Sequence, residues 1–103
     1  KEIMRYAQDH LTEAMRVEDL ALAAHVSKRV CFRLFQEKLH VSPVEYIRSL
    51  RLQEACRLLA TTAEPITQVG YACGLGSASY FGQVFRQRFG CTPAEYRRKM
   101  ARS

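Results

Sequence analysis

Apolar residues recur every three or four positions along nearly the whole chain, and nowhere do they alternate with polar ones long enough to make a strand. The longest uninterrupted stretch is Pro43 to Ala60. There Ile47, Leu52, Ala55 and Leu59, flanked by Tyr46, Leu50 and Leu58, keep helical spacing, with no glycine or proline after the first position. The pattern predicts one helix of roughly eighteen residues, on the order of 27 Å long. Its start is written locally. Ser42 with Glu45 three residues on is a capping-box pair, and Pro43 stands where a missing amide costs nothing.

Six shorter helices are predicted around this rod. Lys1 to Leu11 is amphipathic, with Glu2 and Asp9 on its wet side, and Val17 to Ala24 carries Glu18 and Asp19 in a first turn that favours anions. Ser27 caps a helix running to about Leu39, with Val30, Cys31, Leu34, Phe35 and Leu39 inward and Lys28, Arg29, Phe32, Arg33 and Gln36 outward. Pro65 starts a helix over Ile66 to Cys73. Ser77 caps the next, which is expected to bury Tyr80, Phe81, Val84, Phe85 and Phe89 and to leave Ala78, Ser79, Gly82, Gln83, Arg86 and Gln87 outside. Gly90 closes it, and Thr92 with Glu95 repeats the capping box ahead of a last helix bearing Arg97, Arg98 and Lys99.

The two sides of the rod repeat each other. Phe35, Ser42, Pro43, Glu45 and Tyr46 match Phe85, Thr92, Pro93, Glu95 and Tyr96, each fifty residues later. Leu20-Ala21, followed by His25 and Val26, matches Val69-Gly70, followed by Gly74 and Leu75. Two copies are too few for a solenoid and indicate a duplicated small module. Each is a short helix, a tight turn and a longer helix. Ala21 and Gly70 supply the small residue over which the second helix packs, Gly74 the turn, and His25 stands where Gly74 does, at a position that histidine enters at modest cost. The expected fold is all-α: seven helices in two tandem helix-turn-helix subdomains of homeodomain-like type, residues 1–42 and 61–103, joined by a connecting helix at 43–60.

Charge sharpens the picture because of where it falls. The net charge is +6, but successive segments 1–26, 27–51, 52–75 and 76–103 carry −2, +4, −1 and +5. Basic charge thus collects after the turn in each repeat, as a polyanion binder requires. In a helix-turn-helix the second helix enters the major groove, where Arg pairs with guanine, Gln with adenine, and apolar groups meet the thymine methyl. Arg29, Phe32, Arg33 and Gln83 are the matching chemistries. Two such helices on one rod, roughly 30 Å apart, suit successive major grooves, and a tandem order suits an asymmetric site.

Other chemistries find little support. Cys31, Cys56, Cys73 and Cys91 form no C-x-x-C pair, and with His10, His25 and His40 they match no metal-ligand spacing, so free thiols in a reducing cytoplasm and no metal or cofactor are expected. Gly74-Leu75-Gly76-Ser77 lacks the third glycine of a phosphate-cradling loop and follows a helix, and no carboxylate or nucleophile–base pair points to an enzyme. No apolar run is long enough to span a membrane and no secretory signal is present, while a start at Lys1 suggests a piece of something longer. The competing expectation is a helical protein–protein interaction module whose basic faces are merely solvated.

The chain resembles the C-terminal DNA-binding domain of AraC/XylS-family bacterial transcription regulators. Ile3, Tyr6, Leu20-Ala21, Ser27, Phe35, Ser42-Pro43, Tyr46-Ile47, Arg51-Leu52, Ala55, Leu58-Leu59, Ile66, Val69, Gly74, Ser77, Ser79-Tyr80-Phe81, Phe85, Gly90, Thr92-Pro93 and Tyr96-Arg97 carry the likeness. It implies base readout by Arg29, Phe32 and Arg33 from one helix and by Ala78, Ser79, Gly82 and Gln83 from the other. The candidates for phosphate contact or local structure are Ser27, Lys28, Arg48, Arg51, Ser77, Arg86, Thr92, Arg97 and Arg98. It also implies a cytoplasmic regulator of transcription, activating rather than repressing, with double-stranded DNA as partner. RNA polymerase would be met through the full-length protein, the isolated domain being monomeric. His25 and His40 replace usual glycines, Gly70 a usual Ala, Leu75 a usual Phe, and Gln83 stands where many members carry Arg, so the first subdomain is expected to dominate base discrimination.

Overall fold

The computed structural model describes residues 5–6, 9–10 and 16–101. Six helices and no strand lie among them: α1 (Val17–Ala23), α2 (Lys28–Leu39), α3 (Pro43–Thr61), α4 (Ile66–Ala72), α5 (Ala78–Phe89) and α6 (Pro93–Ala101). The expected seventh, over Lys1 to Leu11, falls mostly outside the described residues, although Arg5, Tyr6 and Asp9 are helical and the His10 ring stacks on Tyr6 at 4.0 Å.

The caps form where their residue types require. Ser27 Oγ accepts from the Val30 amide at 3.1 Å and Ser77 Oγ from the Tyr80 amide at 3.3 Å, each satisfying a donor that the first helical turn leaves unpaired. Both capping boxes close. The Glu45 amide donates to Ser42 Oγ (3.1 Å) and the Ser42 amide to Glu45 Oε1 (3.3 Å), with the Thr92–Glu95 pair at 3.1 and 2.8 Å. A further start carries no Ser, Thr, Asp or Asn at its cap: ahead of α1 the Arg16 amide donates to Asp19 Oδ2 at 3.0 Å.

The two turns are built alike. The Val26 amide donates to the Ala21 carbonyl (3.0 Å) and the Leu75 amide to the Gly70 carbonyl (2.8 Å), five residues back in each case. His25 takes φ 58° where Gly74 takes 77°, and His40 closes α2 at φ 60° where Gly90 closes α5 at 77°. Both histidines therefore occupy the left-handed region expected of them as stand-ins for glycine. Gly70 earns its place by contact: a Cβ there would lie 2.9 Å from Cδ2 of Phe81, which presses on α4 from α5.

The chain divides into two compact units, Lys1–Leu50 and Arg51–Ser103. The first core joins Val17, Leu20 and Ala21 of α1, Cys31 and Phe35 of α2 and Ile47 of α3. The second joins Leu52, Ala55 and Leu59 of α3 to Val69, Cys73, Leu75, Phe81, Val84, Phe85 and Cys91. α3, one residue longer than expected, thus contributes one half to each core. Near its end the Thr61 and Thr62 hydroxyls donate back to the Arg57 and Leu58 carbonyls at 2.6 and 2.7 Å, and the Thr62 amide also donates to Leu58 at 2.9 Å. The burial expectations need one correction. Tyr80 is 43% exposed rather than buried, because Phe81, Val84 and Phe85 define the inward stripe of α5 and Tyr80 lies at its edge.

All four cysteines are free. Burial among apolar side chains pushes the Cys73 thiol up to about 11, which makes it a packing residue rather than a nucleophile.

Candidate nucleic-acid interface

α2 and α5 each present an outward face at the same four positions of the repeat. On α2 it is Arg29, Phe32, Arg33 and Gln36; on α5 it is Ser79, Gly82, Gln83 and Arg86. The spacing of three, four and seven places each set on one side of its helix, opposite the buried pairs Cys31/Phe35 and Phe81/Phe85. Arg29, Arg33, Gln36, Ser79, Gln83 and Arg86 are exposed, as is Phe32, to 41%, while Gly82 is half-buried. A large aromatic left in water on a face otherwise made of Arg and Gln has no packing reason to be there. At Gly82 an added Cβ would meet nothing within 4 Å, so the backbone of α5 is bare in the middle of its outer face. Ala78 is likewise exposed at the start of α5.

The predicted phosphate contacts separate into groups. Ser27 and Ser77 sit exposed at the amino ends of α2 and α5, where free amides and the helix dipole favour an anion. Arg86 and Arg98 are exposed, and Arg48 is half-buried in the first turns of α3. Lys28 is half-exposed and lies 3.2 Å from Glu18 of α1. Glu18's own amide and then the Lys28 ammonium hold its carboxyl below the usual range. Thr92 is occupied by its capping box.

Arg51 and Arg97 are placed otherwise. Arg51 is half-buried on α3, where desolvation depresses its pKa and Tyr80 acts in the opposite direction. Arg97 turns inward: its Nε donates to the Leu59 carbonyl at 3.1 Å, near the end of α3, and its Nη2 is buried. Its counterpart fifty residues earlier, Ile47, is a core residue. Arg97 therefore closes a helix end that would otherwise present an unpaired carbonyl. Tyr80, assigned to the core from sequence, joins the exposed first turn of α5 beside the reading positions. The signal for it was its place one residue before Phe81, at the margin of the stripe.

Residues 20–99 match the helix-turn-helix domain family. The chain is 35% identical over 101 residues, 98% of its length, to the uncharacterized HTH-type transcriptional regulator YisR of Bacillus subtilis, covering 35% of that protein. It is 32% identical over 96 residues, 93% of its length, to the HTH-type transcriptional activator RhaS of Enterobacter sp., covering 34% of it. It spans about a third of the length of these relatives. A solved AraC-type DNA-binding-domain regulator from Chromobacterium violaceum superposes with a TM-score of 0.94 at 35% identity, over 97% of this chain and 89% of that one. The DNA-binding domain of AdpA, solved in complex with a target DNA, gives 0.89 at 33% identity, over 95% and 88%. No described helix is long and apolar enough to cross a membrane. With its paired turns, its serine-capped outward helices and these relatives, the chain belongs to the AraC/XylS family of transcriptional regulators as a helix-turn-helix DNA-binding domain.

Proposed function

We propose that this domain binds double-stranded DNA sequence-specifically by inserting α2 and α5 into the major groove, and that the protein it belongs to thereby regulates transcription. The observation that carries the reading is the pair of serine-capped, twelve-residue helices whose Arg29/Phe32/Arg33 and Ser79/Gly82/Gln83 faces stay in solvent while their opposite faces make two cores. The first turns of both helices, with Lys28, Arg48, Arg86 and Arg98, grip phosphates and fix register, while the reading faces select bases. Arg51 and Arg97 support the fold around the second reading helix. The domain acts by binding and not by catalysis. Two unlike reading helices in one monomeric chain call for an asymmetric site. Activation rather than repression, through contact of the longer protein with RNA polymerase in the bacterial cytoplasm, completes the reading. The AdpA–DNA complex and the activator RhaS support it by kinship.

The test is salt. Titration of a fluorescent promoter-length duplex at several ionic strengths should show log affinity falling steeply and linearly with log salt concentration, because each neutralised phosphate releases condensed counterions. A flat response, or no binding at low salt, would instead identify a protein–protein interaction module with solvated basic faces.

A further inference from the structure

The outward faces of α2 and α5 stand at equivalent positions on similarly built helices, yet their chemistry is opposite. Arg29 faces the role of Ser79, Phe32 that of Gly82, and Arg33 that of Gln83, with Lys28 matched by Ala78. Base contacts come from the amino-terminal part of a reading helix, so Gln36 and Arg86, in the last turns, stand outside this set. In the major groove guanine offers two acceptors, O6 and N7, which the forked donors of Arg match. Adenine offers one acceptor and one donor, which only an amide such as Gln matches bidentately. Thymine adds a methyl group, which suits Ala and, on the first helix, the exposed ring of Phe32.

Resting on the DNA-binding reading above, we infer that the two helices require half-sites of opposite base composition. α2 demands guanine, through Arg29 and Arg33, beside a thymine that meets Phe32. α5 demands an A·T segment: Gln83 takes an adenine, Ala78 a thymine methyl, and Gly82 lets the helix backbone approach the groove floor with no side chain in between. The emptiness around a Cβ at Gly82 is what makes that approach available, since neither the fold nor a neighbouring side chain uses the space.

Selection of bound duplexes from a random pool, with the native chain and with the Gln83→Arg and Arg33→Gln variants, tests the assignment. The native chain should recover one half-site with a fixed guanine and one of A·T pairs. Gln83→Arg should convert a single A·T position of the second half-site to G·C and leave the first unchanged. Arg33→Gln should erase one guanine of the first and leave the second unchanged. Each wrong base should weaken binding on the order of ten-fold or more. Replacing thymine by uracil in the A·T half-site, with the native chain, should weaken binding several-fold and needs no variant to fold. Tight, salt-dependent binding with guanine or no preference in the half-site that responds to Gln83→Arg, or a variant at residue 83 that leaves both half-sites unaltered, overturns the inference while leaving DNA binding intact. Failure of the native chain to bind any duplex at low salt overturns the DNA-binding reading itself, and the inference with it.

Discussion

α2 and α5 share their length, their serine caps, a buried residue at the fourth helical position, a buried phenylalanine at the eighth and a left-handed residue just beyond their last turn. What they do not share is any side chain at the three outward positions of the reading face, or at the first helical position. A helix of this kind is held by a few inward residues and its two ends, which leaves the outer face free to differ without cost to the fold. The comparison also shows two ways of filling a core. The first unit buries one phenylalanine of α2, edge-on to Tyr46 at 5.4 Å, whereas Phe85 contacts Phe81 at 5.8 Å, Phe89 at 4.6 Å and Tyr96 at 5.6 Å.

Truncation at those matched positions is the largest expected effect. Phe85→Ala should destabilise by about 3–5 kcal/mol, the usual range for a buried aromatic, and should exceed Phe35→Ala, because aromatic pairs add on the order of 1 kcal/mol each beyond area burial. Urea titration of both variants, followed by circular dichroism, provides the comparison. A larger loss from Phe35→Ala would mean that the aromatic cluster of the second unit adds little beyond the area it buries.

Next in size is the outer face. Gly82→Ala places a methyl in open space on a helix interior, so it should raise stability by up to about 1 kcal/mol. It should also weaken binding to the preferred duplex several-fold, because the methyl stands between backbone and groove. Stability and affinity moving in opposite directions would separate function from fold at this residue. Unchanged affinity would remove Gly82 from the reading face, and the contrast with Phe32 would then lose its meaning.

The parts of this fold that are local in origin were legible in the sequence. Ser27, Ser77 and the Ser42–Glu45 and Thr92–Glu95 boxes announce helix starts because a cap is made within four residues. His25 and His40 could be placed in the left-handed region by alignment of the repeat on Gly74 and Gly90. Three features were not legible. Arg97 reads as one more basic residue, and its bond to the Leu59 carbonyl depends on a partner thirty-eight residues away. Tyr80 sits beside Phe81 in a run of apolar spacing, and periodicity alone does not say how wide a buried stripe is. Arg16 carries no capping side chain of its own, so the bond from its amide to Asp19 left no cue at the cap position. The outward positions were identified correctly as outward for a simpler reason: Arg29, Arg33, Gln83 and Arg86 are polar at positions where the helix period faces water.

The smallest expected effect separates the two capping boxes by pH. The amide of Thr92, and then its hydroxyl, hold the Glu95 carboxyl below the ordinary value of 4.5, and the Thr92 amide lies 2.8 Å from Glu95 Oε1 against 3.3 Å for Ser42 and Glu45. A carboxyl whose pKa is depressed by folding is ionised in both states at neutral pH, and its stabilisation is complete above its unfolded value. That contribution drains as pH falls through the lower, folded value, because protonation then favours the unfolded chain. Glu95→Gln should therefore lower the melting temperature slightly near pH 7 and have progressively less effect below about pH 4.5 as the native carboxyl is protonated. Glu45→Gln, with the longer bond, should lower the neutral-pH melting temperature less. Melting curves of the three proteins across that range decide the matter: parallel acid limbs for the native chain and Glu95→Gln would show that ionisation of Glu95 adds nothing to the cap, and equal neutral-pH losses from Glu95→Gln and Glu45→Gln would show that the two capping boxes are equivalent in strength as well as in form.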